Sequence, residues 1–134
     1  MRLLSAFTAL TVLSAAIAQA AIPGDIDRAF AMYTELPSAL LPILENVKDK
    51  ESAEEAAPLL NQVLPQVYDA RTNLMKIENL SPAVQAEVLA KYEKKMRSEW
   101  GKVYEHIFRL QSNRCYDSLA LFKQFHTLCM MLNQ

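Results

Sequence analysis

The chain has 134 residues and a nearly balanced charge, with 14 lysines and arginines against 15 aspartates and glutamates. This balance gives no reason to expect nucleic acid or an anionic membrane as the main partner. The sequence has two glycines, is rich in good helix formers, and nowhere alternates apolar and polar residues over the length of a strand. The composition therefore predicts an all-α protein.

The first twenty residues have the pattern of a cleavable signal peptide. A basic start at Arg2 precedes an apolar stretch over residues 3–18, and Ala18-Gln19-Ala20 places small residues where a signal peptidase reads them. The stretch is shorter than the roughly 20 apolar residues of a spanning helix, although an uncleaved anchor stays as the alternative. We expect an exported protein, periplasmic or extracellular, in which residues 21–134 form a single helical-bundle domain without stable membrane insertion.

Apolar residues recur at helical spacing over residues 26–47 and predict the first helix. Pro37 and Pro42 interrupt the pattern, and each removes a backbone donor and clashes with the preceding turn. We therefore predict a break near Pro37, with Ser38 capping a resumed helix that ends near residue 48. An apolar groove at this break is one candidate working surface.

The second helix is predicted to begin at Ser52. Ser52-Ala53-Glu54-Glu55 has the spacing of a capping box, in which the serine and the final glutamate satisfy each other's backbone N–H groups. Pro58 and Pro65 are expected to kink this helix without ending it. Its apolar residues alternate by four and three over three heptads, which is typical of a seam against a partner helix: Ala56, Leu60, Val63, Val67, Ala70, Leu74 and Ile77.

Ser81-Pro82 predicts the start of the third helix, with the serine as cap and the proline at the first helical position. A close contact with another helix would explain Gly101 inside it. The outer face is basic, and it is either a binding surface or the partner of an acidic first helix. The inner, apolar face consists of Val84, Val88, Tyr92, Met96, Trp100, Val103, Ile107 and Leu110. The outer, basic face consists of Lys91, Lys94, Lys95, Arg97 and Lys102.

The last helix is predicted to begin near Asp117, with five residues facing the core: Leu119, Phe122, Phe125, Cys129 and Leu132. Short polar turns between continuous apolar stripes are typical of a small antiparallel bundle of three to four helices, with the first one broken by proline. A first segment that wraps around a three-helix core is the alternative arrangement.

Cys115 and Cys129 raise the question of a disulfide in an exported protein. On one helix their separation of fourteen residues spans about 21 Å, against roughly 4.4–6.8 Å between the Cα atoms of a disulfide. Three states stay open: a bond within the chain if the last segment folds back, a bond between two chains, or two free thiols.

The sequence contains no Gly-rich phosphate loop, nucleophile elbow or Cys-x-x-Cys motif, so we expect no enzyme, no catalytic residue and no resident cofactor. Neither histidine completes a Glu-x-x-His metal pair, because Val103 precedes His106 and Lys123 precedes His126. With Met32 in the first helix and His126 in the last, the sequence resembles small periplasmic b-type cytochromes with a four-helix bundle. That resemblance implies haem binding by Met32 and His126 as one alternative function.

Residues 80–85, Leu-Ser-Pro-Ala-Val-Gln, resemble the Leu-Thr-x-x-Gln signature of small periplasmic chaperones that answer envelope stress, with the glutamine one place late. This resemblance implies a chaperone-like function as another alternative. The run over residues 47–59, followed by Leu80-Ser81-Pro82 and Tyr92, is similar to a group of uncharacterised short secreted helical proteins of bacteria. The similarity covers about residues 38–125 and implies no activity.

The sequence as a whole predicts an exported, non-enzymatic helical bundle that acts as a protein-interaction or structural module. Its expected partner is another protein or a second copy of the chain. The expected working surface is either the basic face of the third helix or the groove at the proline break.

Overall fold

The computed structural model describes residues 21–133, so the signal-peptide prediction for residues 1–20 lies outside the described part. Four α-helices follow one another: α1 (Gly24–Glu45), α2 (Lys50–Met75), α3 (Pro82–Ser112) and α4 (Leu119–Leu132). A short helical turn, Arg114–Asp117, connects α3 to α4. The described residues contain no strand, and the predicted all-α bundle is confirmed.

The helices pack in the order α3, α1, α2, α4. Close packing joins α1 to α3, α1 to α2, and α2 to α4. Within the described residues α3 and α4 are not a closely packed pair, and the turn Arg114–Asp117 contacts α2, α3 and α4. The bundle therefore has one open side, between α3 and α4. None of the helices in residues 21–133 combines the length and apolar character needed to cross a membrane.

The predicted break in the first helix is wrong, because α1 runs without interruption through Pro37 and Pro42. Pro37 cannot donate to the carbonyl of Tyr33 one turn earlier, but the indole Nε1–H of Trp100 on α3 donates to that oxygen at 2.9 Å. Ser38 does not cap a helix, since its hydroxyl donates to the Glu35 carbonyl at 2.6 Å. A cleft of about 330 Å³ nevertheless lies at this stretch, between the unbroken α1 and α2, and its lining includes Leu36, Ser38 and Asp69.

The start of α2 also differs from the prediction. Asp49 is the cap: its Oδ1 accepts the Ser52 N–H at 2.8 Å, and the Ser52 hydroxyl accepts the Asp49 N–H at 3.0 Å. Ser52 thus takes the part predicted for Glu55, because aspartate is as good a cap as serine and stands three residues earlier. The predicted cap of α3 is confirmed, with the Ser81 hydroxyl accepting the Val84 N–H at 3.3 Å.

The buried faces of α2 and α3 match their predicted seams with small additions. Ala53, Ala57 and Leu64 join the α2 seam, while Val63 and Leu74 are only partly buried. Ile77, predicted as the last residue of this seam, lies beyond the end of α2 at Met75. Gly101 is exposed and has no atom within 4 Å of the place where a Cβ would stand, so it does not mark a helix contact. The fully or nearly buried residues of α3 are Val88, Tyr92, Trp100, Val103, Ile107 and Leu110.

Arg109 fastens the end of α1 to α3. Its guanidinium donates to the carbonyls of Leu44 and Val47, both at 2.7 Å. Leu44 lies in the last turn of α1, where carbonyls lack their usual helical donors, and Val47 lies just beyond that turn. The same group donates to the Tyr116 hydroxyl at 3.1 Å. A cation at this position also suits the negative end of the α1 dipole. Arg109 therefore fixes the place where the chain turns from α3 towards α4.

Candidate functional site

The connection between α3 and α4 has left-handed backbone. Arg114, Cys115, Tyr116 and Asp117 have φ values of 55°, 52°, 53° and 59°, and each non-glycine residue in a left-handed helical turn costs about 1–2 kcal/mol. Such a conformation persists only where the surroundings hold it. Here the Tyr116 hydroxyl is held by Arg109, and the side chain of Cys115 is buried. We refer to Arg114–Asp117 as the left-handed turn.

The left-handed turn forms part of the wall of a cavity of about 500 Å³, which we name the α4 cavity. This volume lies within the roughly 300–1,000 Å³ typical of small-molecule sites. The buried floor consists of Leu110, Cys115, Ser118 and Phe125; the side wall consists of Leu119, Phe122, His126 and Cys129; and the exposed rim consists of Gln111, Arg114 and Asp117.

The side wall shows where the predicted register of α4 was wrong. Leu119 and Phe122 were expected in the core, yet they are 66% and 51% exposed. Phe125 and Leu132 are buried as predicted, and Leu121 and Leu128 take the remaining core positions. Because α4 is apolar on two faces, helical spacing alone could not decide which face is inner. The second apolar face, which includes Leu119 and Phe122, is the feature of the sequence from which this site could have been recognised.

Phe122 and His126 pack against each other along that face. Their rings are nearly parallel, with 6.2 Å between centroids and 14° between planes. Leu119, Phe122, His126 and Cys129 follow at spacings of three, four and three residues, so they form one stripe along α4. The stripe presents a flat aromatic surface beside exposed leucine to whatever enters the cavity.

Cys115 and Cys129 both line the α4 cavity as free thiols. The left-handed turn folds Cys115 back beside α4, so the separation calculated for a single helix does not apply. Desolvation, and secondly the nearby Cys129, raises the pKa of Cys115 to about 11, and burial also raises the pKa of Cys129. Both thiols are therefore protonated at neutral pH and are poor nucleophiles.

The polar groups of the cavity are mostly hydrogen-bond donors without acceptors. The Ser118 side chain is 1% exposed, and its oxygen accepts the Leu121 N–H at 3.1 Å. Its hydroxyl hydrogen, the Gln111 amide and the Arg114 guanidinium donate to no acceptor among residues 21–133. Asp117 is the acid of the lining, and it forms no ion pair within the same part of the chain.

The basic face predicted on α3 is largely neutralised by acids. Lys91 pairs with Asp27 at 2.9 Å and Lys95 pairs with Glu35, so both lysines reach across to α1. Of the two interpretations of this face, the structure therefore supports the acidic first helix lying beside it. Lys94 has no ion pair within the described ranges. Two further pairs lie within α3, Arg97–Glu93 at 3.0 Å and Lys102–Glu99 at 3.1 Å.

The structure does not bring Met32 and His126 together. Met32 lies on α1 and lines clefts beside α2, where the Asn73 amide is 3.9 Å from its sulfur. His126 lines the α4 cavity. The pair suggested for haem therefore stands in separate cavities. No group of three or more histidine, cysteine, aspartate or glutamate side chains in residues 21–133 is placed to hold a metal ion.

The residues that resembled the chaperone signature are used to start α3. Ser81 caps the helix, and the Gln85 amide donates to the Leu80 carbonyl at 3.0 Å. The serine and the glutamine of the segment thus have local structural partners. This local use accounts for the pattern without a shared activity.

No protein-family model matches the chain, and the comparisons with curated proteins and with solved structures give no significant match. This outcome is consistent with the similarity to an uncharacterised group of short helical proteins.

Proposed function

We propose that this protein is an exported, non-enzymatic binding module whose working surface is the α4 cavity. One observation carries the proposal: a cavity of about 500 Å³ opens beside Leu119 and Phe122, two large apolar side chains that are 66% and 51% exposed. Burying a leucine or phenylalanine side chain contributes about 1.5–3 kcal/mol. A ligand that covers both therefore gains substantial binding free energy from them.

The chemistry of the cavity favours binding over catalysis. The raised pKa values of Cys115 and Cys129 keep both thiols protonated at neutral pH, whereas a nucleophilic cysteine needs a lowered pKa. His126 makes its ring contact with Phe122 and has neither thiol as a hydrogen-bond partner among the described residues. The arrangement lacks the nucleophile and base pairing on which covalent catalysis depends.

Binding at the α4 cavity is tested with Nile red, an uncharged dye whose emission rises in apolar surroundings. We expect the full chain to enhance the emission and Phe122→Ala to reduce the enhancement several-fold. Tyr68→Ala is the matched control, because Tyr68 is 55% exposed on α2 and does not line the cavity. Absence of enhancement with the unaltered chain, or an equal loss in both variants, contradicts the cavity as the binding site.

Export is supported by the signal-peptide pattern of residues 1–20. Mass spectrometry of the protein recovered from the periplasm or the medium is expected to give a chain that begins at Ala21. Recovery of the uncleaved chain in the cytoplasmic or membrane fraction contradicts this part of the proposal.

A second candidate function is association with a protein partner or with another copy of the chain. Phe108 and Met130 favour it, since they are 65% and 55% exposed and neither lines the α4 cavity. Exposed aromatic and methionine side chains are enriched at protein interfaces. Sedimentation velocity across a hundredfold range of concentration, with Phe108→Ser as the variant, tests self-association. A strict monomer with no partner recovered by cross-linking counts against this candidate.

A further inference from the structure

We infer that the α4 cavity binds a small carboxylate with an apolar chain, of the size of a medium-chain fatty acid; this inference rests on the proposed function. The apolar chain of the ligand lies along Leu119, Phe122 and Phe125, and its carboxylate lies at the rim near Arg114. These residues line a single cavity formed by α4, the left-handed turn and the last turn of α3.

The floor and side wall indicate an apolar body for the ligand. Leu110 and Phe125 are buried on the floor, while Leu119 and Phe122 stand exposed beside them. Covering such side chains removes apolar surface from water, which is favourable in proportion to the area covered. A volume of about 500 Å³ accommodates one medium-length chain or a pair of rings.

The polar groups indicate an acceptor at the other end of the ligand. The Arg114 guanidinium, the Gln111 amide and the Ser118 hydroxyl line the cavity, and none of them donates to an acceptor in residues 21–133. Ser118 is 1% exposed, so its unused donor is inside the wall. A carboxylate has two acceptor oxygens and no donor, and arginine can bind both oxygens at once.

Asp117 opposes an anion at the same rim. It belongs to the left-handed turn together with Arg114 and is the acid of the lining. The two side chains therefore have opposite expected effects on a charged ligand and no such effect on an uncharged one. This opposition separates recognition of the carboxylate from general attraction of apolar molecules.

The test is calorimetric titration of the full chain with dodecanoate, dodecan-1-ol and dodecyltrimethylammonium, all below their micellar concentrations. We expect one dodecanoate per chain, bound about tenfold more tightly than the alcohol. Arg114→Gln should weaken dodecanoate binding about tenfold, and Asp117→Asn should tighten it roughly threefold. Both variants should leave dodecan-1-ol binding unchanged. Lys123→Gln, which removes one positive charge from α4 outside the cavity lining, should alter neither ligand.

Arg114→Lys is the control that separates loss of the positive charge from damage to the left-handed turn. Because lysine keeps the charge, this variant should retain most of the dodecanoate affinity, and a loss as large as that of Arg114→Gln overturns the inference. Equal affinities for the three dodecyl compounds also overturn it but leave the proposed binding function standing. Absence of saturable binding by all three, together with absence of Nile red enhancement, overturns both.

Discussion

The indole N–H of Trp100 on α3 donates a hydrogen bond of 2.9 Å to the carbonyl of Tyr33 on α1, and the two rings stack with centroids 4.7 Å apart. That carbonyl lies one turn before Pro37, which has no N–H to offer it. A neighbouring helix therefore supplies the donor that the proline lacks. At Pro37, the hydrogen bonding of α1 is completed by α3.

Trp100→Phe should destabilise the protein beyond the loss of ring area. The Tyr33 carbonyl would lose its donor, and an unsatisfied buried acceptor costs about 1–3 kcal/mol. We expect the free energy of unfolding to fall by about 2 kcal/mol or more, measured by urea denaturation followed by circular dichroism.

Pro37→Ala provides the control for this prediction, because alanine restores an N–H that can donate to the Tyr33 carbonyl. Trp100→Phe should therefore cost about 1 kcal/mol less in the Pro37→Ala background than in the unaltered chain. Additive effects of the two substitutions would show that the indole stabilises the junction by packing alone.

Removing the guanidinium of Arg109 should free the end of α1. In Arg109→Met the carbonyls of Leu44 and Val47, both bonded at 2.7 Å, lose a charged donor, and we expect a loss of about 1.5–3 kcal/mol of unfolding free energy. Arg97→Met is the matched control. Its partner Glu93 lies on the same exposed helix face, so the loss there should be a few tenths of a kcal/mol. Equal losses in the two variants contradict the proposed fastening role.

Gly101→Ala should stabilise the protein. Gly101 is exposed inside α3, and no atom lies within 4 Å of the place that a Cβ would take. Alanine is about 1 kcal/mol more favourable than glycine in a helix interior, so we expect a gain of about 0.5–1 kcal/mol in the free energy of unfolding. Gly24→Ala makes the same chemical change in open space at the first residue of α1, where the gain should be smaller. A loss of stability in Gly101→Ala would reveal a contact at this site.

The Cys115 thiol should make stability sensitive to alkaline pH. Its pKa rises from 9.0 in the reference state to about 11 in the fold, so its contribution is complete below pH 9 and is lost as the pH rises through 11. At most about 3 kcal/mol of unfolding free energy is at stake. Cys115→Ala should therefore flatten the fall in stability between pH 8.5 and 11, measured by urea titration.

Tyrosines also ionise in this pH range, in the unaltered protein and in Cys115→Ala alike. Their contribution cancels when the unfolding free energies of the two proteins are subtracted at each pH. An identical alkaline fall in Cys115→Ala and in the unaltered chain would contradict the raised pKa. Cys129→Ala, measured in parallel, should flatten the fall in the same direction, because burial also raises the pKa of that thiol.

The sequence predicted those parts of the fold that depend on one dominant apolar stripe. The seam of α2 and the inner face of α3 agree with the structure because each helix has a clearly polar opposite side. The cap at Ser81 was also predictable, since serine followed by proline favours one local structure. The cap of α2 was misplaced by three residues because Asp49 and Ser52 both have good capping side chains.

The remaining features depend on contacts between distant residues. Local rules predicted a break at Pro37, and the compensating donor comes from Trp100 on another helix. The left-handed turn contains no glycine from which its backbone conformation could be predicted. It is stabilised by the hydrogen bond from Arg109 on α3 to the Tyr116 hydroxyl. For α4, two apolar faces competed, so Leu119 and Phe122 could not be recognised as the wall of a cavity before the packing partner was known.

Trp100 is the only tryptophan of the chain, and it lies buried at the junction of α1 and α3. Its intrinsic emission is therefore a local reporter for that junction, whereas α4 packs mainly on α2. If α4 separates from the bundle at lower denaturant concentration than the other helices, ellipticity will change before fluorescence does. Comparison of the two transitions therefore shows whether α4 unfolds cooperatively with the other three helices.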